Sequence, residues 1–359
     1  MEEEAEDDFG DKKVMPAEPN RRFRVTTHPQ HHRLKRIWIE STALQEFFEH
    51  TSNETVTHLE YVPFSRFMVA KYLRDVLGVA FVETLKQVLH DRSFGGLTIS
   101  IATFLEQKQQ QRSCCRPIDE LCLLLSTALT HLIGIPNFDA MNGTYYARFV
   151  VQHTDNSDSY LRKPYTNMTL HTDGTYVNEP TDWVLMMKLQ ERNVGSSSSS
   201  SGGGGGGRSR LLHLDDWSEL DRFHKHPLAN HPFLYQSPPS KNVSVQVYKP
   251  TFYFQTNNHS SSDDQKQKQQ KQQQQEKGQP CLCFIDQFVH PTTIEQAEYL
   301  HDLSASMEGS PGTKFVQLPV GELILLNNTF WVHGREAFAG PNQKLFRELL
   351  RQRGGFCDT

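Results

Sequence analysis

The sequence Leu-His-Thr-Asp-Gly-Thr-Tyr at 170–176 places a histidine and an aspartate two positions apart, and Phe-Trp-Val-His-Gly-Arg-Glu at 330–336 supplies a second histidine. In an extended strand, residues i and i+2 point to the same side, so His171 and Asp173 can share one ion. His333 would then come from a neighbouring strand. Two imidazoles and one carboxylate form the facial triad that holds non-haem Fe(II) and leaves coordination positions open. The pattern predicts an iron site at His171, Asp173 and His333.

Taken alone, a His-x-Asp pair with a distant histidine is weak evidence for a metal site. The chain contains 17 histidines and 42 acidic residues, and a lone histidine is more often a surface or core residue. The flanking sequence strengthens the prediction. An apolar run at 183–187 follows the pair, and Gly-Glu-Leu-Ile-Leu-Leu-Asn-Asn at 321–328 precedes His333. Both flanks are typical of buried or half-buried strands, where a metal site in a jelly roll would lie.

The periodicity changes along the chain from that of helices to that of strands. Helical spacing covers 42–50, 65–90 and 118–132, the last preceded by Pro117 and stopped by Gly134. From Tyr145 onward the pattern indicates strands at 145–152, 181–189, 211–214, 251–254, 282–288, 315–320, 323–327 and 346–356. We predict an α+β enzyme with a β-sandwich or a jelly roll (double-stranded β-helix) at its centre and packing helices mainly from the N-terminal third. Those helices could equally form an oligomer surface.

Composition limits the class of protein. A length of 359 residues allows one large domain or two small ones. The net charge of −5 gives no reason to expect a nucleic-acid partner. No apolar run approaches the roughly 18 residues that crossing a membrane requires. The acidic N-terminus is unlike a signal or transit peptide, and the six cysteines contain no Cys-x-x-Cys pair. These features favour a reducing, cytoplasmic setting.

Three segments have the composition of disordered chain. Residues 1–20 form an acidic tail, residues 195–207 are glycine followed by six serines and six glycines, and residues 257–279 are dominated by Gln and Lys. Strand-like sequence resumes after both internal segments, so we expect them to be long inserts within one domain spanning 21–359. Loop closure costs grow slowly with length, which makes such inserts tolerable at surface turns.

An arginine-rich segment follows the second histidine. Arg351 and Arg353 would share one face of a strand over 346–356, and a guanidinium is the natural bidentate partner of a carboxylate. The two arginines could hold two carboxylates near the metal, one from a 2-oxoglutarate cosubstrate and one from an acidic substrate. The alternative is a solvated basic strand without a ligand.

Several long strings resemble the glutarate 2-hydroxylase family, the CsiD/GAB proteins. Besides the His-x-Asp stretch, they are Tyr-Tyr-Ala-Arg-Phe-Val-Val from 145, Leu-Leu-His-Leu-Asp-Asp-Trp from 211, Ile-Asp-Gln-Phe-Val from 285 and Arg-Glu-Leu-Leu-Arg-Gln-Arg-Gly from 347. The resemblance extends from about residue 35 to 356 and is broken chiefly at the two inserts.

The resemblance implies a homotetrameric Fe(II)/2-oxoglutarate dioxygenase with a clavaminate-synthase-like jelly roll. Such an enzyme hydroxylates glutarate at C2 to L-2-hydroxyglutarate in lysine catabolism, while 2-oxoglutarate and O2 become succinate and CO2. It implies His171, Asp173 and His333 as iron ligands. Arg351 would bind the distal carboxylate of the cosubstrate with help from Ser209, and Arg353 would bind the substrate. Weaker pocket candidates, equally consistent with strand packing, are Tyr146, Arg148 and Arg162.

Three points stay open at this stage. The Ser/Gly insert directly precedes Ser209 and could shift its strand out of register, although the intact string at 211–217 argues against that. A sister dioxygenase acting on another short carboxylate would have the same triad and arginines. A non-catalytic jelly roll that senses a metal or a dicarboxylate is the alternative from a different class.

Overall fold

The computed structural model describes residues 22–110, 116–154, 163–192, 206–237, 246–255 and 278–357. The predicted tail at 1–20, most of both predicted inserts and Arg162 lie outside the described residues. The single-domain organisation therefore stays a prediction.

The helices of the described residues lie mostly in the first third of the chain, as predicted. They are α1 (Ser41–His50), α2 (Val56–Tyr61), α3 (Pro63–Leu77), α4 (Val79–His90), α5 (Ala102–Gln110), α6 (Ile118–Ile133), α7 (Leu220–His224) and α8 (Ile294–Glu308). The predicted helical stretch at 65–90 is two helices, because Gly78 between them has φ +85°, a left-handed conformation that favours glycine. No helix of the described residues, in any part of the chain, has the length and hydrophobicity needed to cross a bilayer.

The strands run through the whole described chain. They are β1 (Phe23–His28), β2 (His31–Ile39), β3 (Gly96–Ser100), β4 (Gly134–Pro136), β5 (Ala147–Gln152), β6 (Met168–His171), β7 (Trp183–Arg192), β8 (Ser209–His213), β9 (Phe233–Tyr235), β10 (Val247–Lys249), β11 (Phe252–Gln255), β12 (Gln279–Leu282), β13 (Val289–His290), β14 (Lys314–Val316), β15 (Glu322–Asn327), β16 (Trp331–Arg335) and β17 (Phe346–Phe356).

Two sheets form the centre of the fold. The larger has the order β1-β2-β3-β15-β7-β17-β4, with β5 also paired to β17, and the smaller has the order β14-β8-β16-β6. Pairing is antiparallel except between β2 and β3, which are parallel. The chain passes repeatedly from one sheet to the other: β15 and β17 lie in the larger sheet, and β16 between them lies in the smaller.

The central strands of the larger sheet are buried on both faces, and β15 illustrates why. Its alternate residues Leu323 and Leu325 belong to the apolar cluster formed with the helices. Ile324 and Leu326, which point the other way, belong to the cluster shared with the smaller sheet. An apolar run without polar alternation is the expected sequence for a strand covered on both sides. The α+β class with mixed sheets is thus confirmed.

Some element predictions were wrong. The first third of the chain also contains β1, β2 and β3, which extend the larger sheet. The burial of β1 shows why it was missed, since four of its six residues are exposed and give no apolar alternation. The strand predicted at 282–288 ends at Leu282 and begins at Gln279, a residue assigned to the insert. Helix α8 was not predicted.

Candidate functional site

The triad predicted from sequence comes together at the end of the smaller sheet. His333 on β16 pairs directly with His171, the last residue of β6, and Asp173 follows two positions later. The two imidazole rings have centroids 4.5 Å apart. Nε2 of His333 lies 3.7 Å from Oδ2 of Asp173. One ligand atom from each residue lies within 4.8 Å of the others, so the three side chains can converge on one ion.

The protonation of the triad suits metal binding. Nδ1 of His171 lies 2.7 Å from the carbonyl oxygen of Thr169, and donation of its proton to that oxygen would leave Nε2 as the ligand atom. Burial, followed by the nearby His171, lowers the pKa of His333 to about 3. Burial alone would raise the pKa of Asp173, but the electrostatic effects of its neighbours, Arg351 foremost, together outweigh burial and hold that pKa well below its usual range. Metal ligands must be deprotonated in this way.

Asn328 fixes the backbone at Asp173. Its Oδ1 accepts from the amide of Asp173 at 2.9 Å, and its Nδ2 donates to the carbonyls of Asp173 at 3.0 Å and Thr181 at 2.8 Å. Sequence analysis did not assign Asn328 to the site. The available signal was the pair of asparagines that ends the apolar run of β15, since two buried amides need partners there.

Lys249 hydrogen-bonds the backbone of the segment that follows Asp173. Its ammonium group donates to the carbonyls of Val177 at 2.7 Å and Gly174 at 3.3 Å. Gly174 itself has φ +74°, and a Cβ there would lie 2.1 Å from Oγ1 of Thr181. Only glycine therefore fits directly after the ligand aspartate.

A cavity of about 110 Å³ opens on the triad. Its walls are mostly apolar, with a few polar groups, which is usual for small-molecule sites. The residues lining it are Met141, Phe149, Val151, Met168, His171, Thr172, Asp173, Gly174, Tyr176, Met186, Ser209, Ile285, Phe288, His333, Gly334, Arg335, Arg347, Leu349 and Arg351.

Arg351 and Arg353 lie on the inner face of β17, as predicted, but their contacts differ. Arg351 donates from Nη1 to Oδ1 of Asp173 at 2.9 Å and from Nη2 to Oδ2 of Asp139 at 3.0 Å. Both of its terminal nitrogens thus contact carboxylates of the protein. Arg353 is buried with its guanidinium 5.5 Å from the ring centroid of Tyr176. Within the described ranges, its Nε and Nη1 have no hydrogen-bond partner.

Arg347 and Ser209 form a second polar region of the cavity wall. Arg347 is 2% exposed, and its Nη1 donates to the carbonyl of Gly207. Its Nε lacks a hydrogen-bond partner among the residues described and lies 3.9 Å from Oε1 of Glu191. Arg347 was noted in the sequence but not assigned to the site, because β17 carries three arginines and the pattern does not reveal their partners.

Strand β8, which begins at Ser209, pairs in regular register with both of its neighbours. Ser209 pairs with Arg335 on β16 and with Val316 on β14, so the preceding insert has not displaced β8. Gly206 and Gly207 were predicted to belong to a flexible linker. They instead bridge to the 337–338 segment, and a Cβ at Gly207 would lie 2.3 Å from the ring of Phe338. This part of the linker prediction was wrong because glycines here allow a close backbone approach.

Two of the three weaker pocket candidates, Tyr146 and Arg148, do not line the cavity, and the third, Arg162, lies outside the described residues. The hydroxyl of Tyr146 donates to the carboxylate of Glu60. Arg148 forms ion pairs with Glu348 at 2.7 Å and Asp119 at 3.0 Å. Neither residue lines the cavity.

Two solved oxygenase structures have folds similar to that of this chain. Asparagine oxygenase (AsnO) has a TM-score of 0.62 at 15% identity, with 89% of this chain and 92% of that chain covered. The non-heme iron oxygenase OrfP, solved with Fe and alpha-ketoglutaric acid, has a TM-score of 0.56 at 15% identity, with coverage of 88% and 93%. The fold is therefore that of non-haem iron oxygenases, and the triad lies within it. More particularly, the chain belongs to the CsiD family, whose model matches residues 23–263 and 259–356. The resemblance seen in the sequence is confirmed.

Proposed function

We propose that this protein is an Fe(II)- and 2-oxoglutarate-dependent dioxygenase that hydroxylates glutarate at C2 to L-2-hydroxyglutarate, with succinate and CO2 as coproducts. The observation that carries the proposal is the convergence of His171, Asp173 and His333 on one cavity whose wall also contains buried arginine. Membership of the CsiD family supports the same reaction. The cytoplasmic setting, the homotetramer and the role in lysine catabolism remain predictions from the sequence.

The donor set fits Fe(II). Oδ2 of Asp173 is buried without a hydrogen-bond partner in the described structure, while Oδ1 bonds Arg351, so one carboxylate oxygen remains for a metal. Iron bound there supplies the oxygen chemistry that couples decarboxylation of 2-oxoglutarate to hydroxylation. The residues of this chain hold the ion and position the two carboxylic acids around it.

Arg347 and Ser209 are the better candidates for the distal carboxylate of 2-oxoglutarate. The sequence assigned that carboxylate to Arg351 with Ser209, but Arg351 already bonds Asp173 and Asp139. Arg347 and Ser209 both line the cavity, and no carboxylate of the described residues lies within hydrogen-bonding distance of Arg347. A buried guanidinium in this state gains most from a dicarboxylic ligand, because a charge without a partner in an apolar setting is costly. Arg351 then orients the metal-binding carboxylate.

Arg353 is the candidate for a carboxylate of the substrate. It is buried, two of its nitrogens have no hydrogen-bond partner among the described residues, and it packs against Tyr176, which lines the cavity. A guanidinium at a fixed distance from the metal can select chain length, because it sets which carbon of a diacid faces the ion. Glutarate, with carboxylates at both ends, suits an arrangement in which one end is bound and C2 faces the metal.

We also propose that the two sheets together form a jelly roll. Strands β3, β15, β7 and β17 of the larger sheet and β14, β8, β16 and β6 of the smaller give two four-stranded sets. The chain alternates between them from β6 to β8 and again from β14 to β17. This alternation supports a double-stranded β-helix with the triad at one end.

Succinate release from 2-oxoglutarate, measured with and without a second acid, tests the reaction. Glutarate should stimulate release, while adipate tests chain length and L-glutamate tests the effect of an ammonium group at C2. L-2-Hydroxyglutarate should form in step with succinate. Stimulation by another acid but not by glutarate would favour a sister dioxygenase.

His333→Ala distinguishes an enzyme from a sensing module. The variant should keep its fold and lose turnover, because one of three predicted ligands is gone. Anaerobic titration of the Fe(II)-loaded wild-type protein with 2-oxoglutarate should give a weak visible charge-transfer band that His333→Ala lacks. Glutarate-dependent succinate formation by His333→Ala would contradict the triad assignment.

A further inference from the structure

A β-bulge lies where β7 meets β17, beside Arg347. Arg347 pairs with Glu191, and Leu349 pairs with Lys188, with a register shift between them. The bulge inserts one extra residue into β7, so Lys188 and Glu191 face the same side although they are three positions apart. Regular alternation would place them on opposite faces. The bulge therefore brings a lysine and a glutamate to the same face as Arg347.

One carboxylate is shared by two buried cations at this place. Lys188 is 1% exposed, and its Nζ donates to Oε2 of Glu191 at 2.7 Å. The other oxygen of Glu191 lies 3.9 Å from Nε of Arg347, which is too long for a hydrogen bond. Burial, with the charge of Arg347 adding to it, lowers the pKa of Lys188 to about 8. The closer partner of Glu191 is thus the lysine, and Arg347 is left poorly compensated.

The next carboxylate along this face does not relieve Arg347. Glu322 is 2% exposed and lies 3.4 Å from Nη2 of Arg36. Among the described residues, Arg347 donates to the carbonyl of Gly207, lies 5.8 Å from the ring centroid of Phe338 and makes a long contact with Glu191.

We propose that Lys188 is a positioning residue for the cosubstrate: by holding Glu191, it keeps Arg347 available for the distal carboxylate of 2-oxoglutarate. Without the ammonium group, Glu191 would turn toward Arg347 directly across the strand pair. A guanidinium and a carboxylate form a bidentate pair with matched geometry, and that pair would compete with the ligand. This inference rests on the proposed function, because it takes Arg347 as the carboxylate receptor.

The test measures 2-oxoglutarate binding rather than turnover alone. Lys188→Met keeps the length of the apolar stem and removes the charge. In calorimetric titration of Mn(II)-loaded protein, it should weaken 2-oxoglutarate binding by about tenfold to hundredfold, the range for losing a charge-assisted hydrogen bond. The KM for 2-oxoglutarate should rise while kcat at saturation stays near that of the wild type. Mn(II) affinity and melting temperature report whether the metal site and the fold are intact.

Two further variants identify the cause. Adding Glu191→Gln to Lys188→Met should restore 2-oxoglutarate affinity, because the competing carboxylate is gone, and removing both buried charges protects the fold. Lys188→Arg keeps the cation and should bind 2-oxoglutarate like the wild type. Arg192→Met removes a cation from an exposed position of the same strand and serves as the matched control, with no change in affinity expected.

The outcomes separate the inference from the proposed function. Unchanged 2-oxoglutarate affinity in Arg347→Met would remove Arg347 as the receptor and, with it, both proposals about this carboxylate. Weak binding by Arg347→Met with wild-type binding by Lys188→Met would overturn the role of Lys188 alone. Weak binding by Lys188→Met that Glu191→Gln does not restore would also overturn it, since Lys188 would then act by another route.

Discussion

Asn328 offers a prediction that separates metal binding from general stability. Its side chain forms three hydrogen bonds of 2.8–3.0 Å that fix the backbone at Asp173 and Thr181. Asn328→Ala removes all three, and each net bond contributes about 0.5–1.5 kcal/mol, so we expect a loss of about 3 kcal/mol in the free energy of unfolding. Because the carboxylate of Asp173 loses its fixed position, metal affinity should also fall by about tenfold to hundredfold.

The neighbouring Asn327 provides the matched control. It is equally buried and also makes three bonds, donating to the carbonyl of Leu89 at 3.0 Å and accepting from the amide and hydroxyl of Thr329 at 3.0 and 2.7 Å. None of them involves Asp173. Asn327→Ala should therefore lose comparable stability while Mn(II) affinity, measured by calorimetry on the metal-free protein, stays within about twofold of the wild type. Equal losses of Mn(II) affinity in both variants, or none in Asn328→Ala, would refute the reasoning.

Three further predictions concern the insert, acid stability and substrate selection. Deleting 196–205 should change KM and melting temperature little, because that composition predicts no packed contacts. Deleting 196–207 should raise the KM for 2-oxoglutarate, because the carbonyl of Gly207 bonds Arg347; equal behaviour of the two deletions would contradict this. Burial lowers the pKa of His131 to about 4 from its usual 6.5, so its contribution to stability is full above pH 6.5 and is lost as the pH falls toward 4. Urea unfolding at pH 7 and 5 should show a smaller loss in His131→Leu than in the wild type, by up to about 1.4 kcal/mol per pH unit; an unchanged slope would be inconsistent with a neutral buried imidazole. Arg353→Leu should raise the KM for glutarate by about two to three decades while the KM for 2-oxoglutarate moves little, since an unpaired buried carboxylate costs about 3–5 kcal/mol. A matched rise in both constants would refute that division of roles.

The sequence was most informative where chemistry limits both residue type and spacing. A facial triad requires two imidazoles and a carboxylate, and the His-x-Asp spacing follows from the alternation of a strand. His171 and Asp173 could therefore be recognised from the string alone. A neighbouring strand was expected for His333, but its direct pairing with His171 could not be recognised, because 161 residues of chain and several crossings between the two sheets lie between them.

Contacts that depend on strand register could not be predicted from the sequence. Asn328 hydrogen-bonds the backbone of a loop, and the role proposed for Lys188 depends on a β-bulge. Neither feature leaves a periodic signal in the sequence. The strand β1 was missed for a related reason, since an edge strand with mostly exposed side chains shows no burial pattern. Elements with a long apolar run, such as α6 and β15, were predicted well, and both are buried on all sides.

The three arginines of β17 show how partners, rather than positions, decide function. Alternation places Arg351 and Arg353 on one face, as the sequence predicted, and it places Arg347 on that face as well. The structure adds the partners of each. Arg351 is bonded to the carboxylates of Asp173 and Asp139, and Arg347 shares the carboxylate of Glu191 with Lys188. Two nitrogens of Arg353 have no hydrogen-bond partner in the described part of the chain. Both poorly compensated guanidinium groups favour anions and disfavour an ammonium group nearby. L-Glutamate differs from glutarate by one ammonium group at C2, so we expect glutarate to stimulate succinate release much more strongly than L-glutamate does.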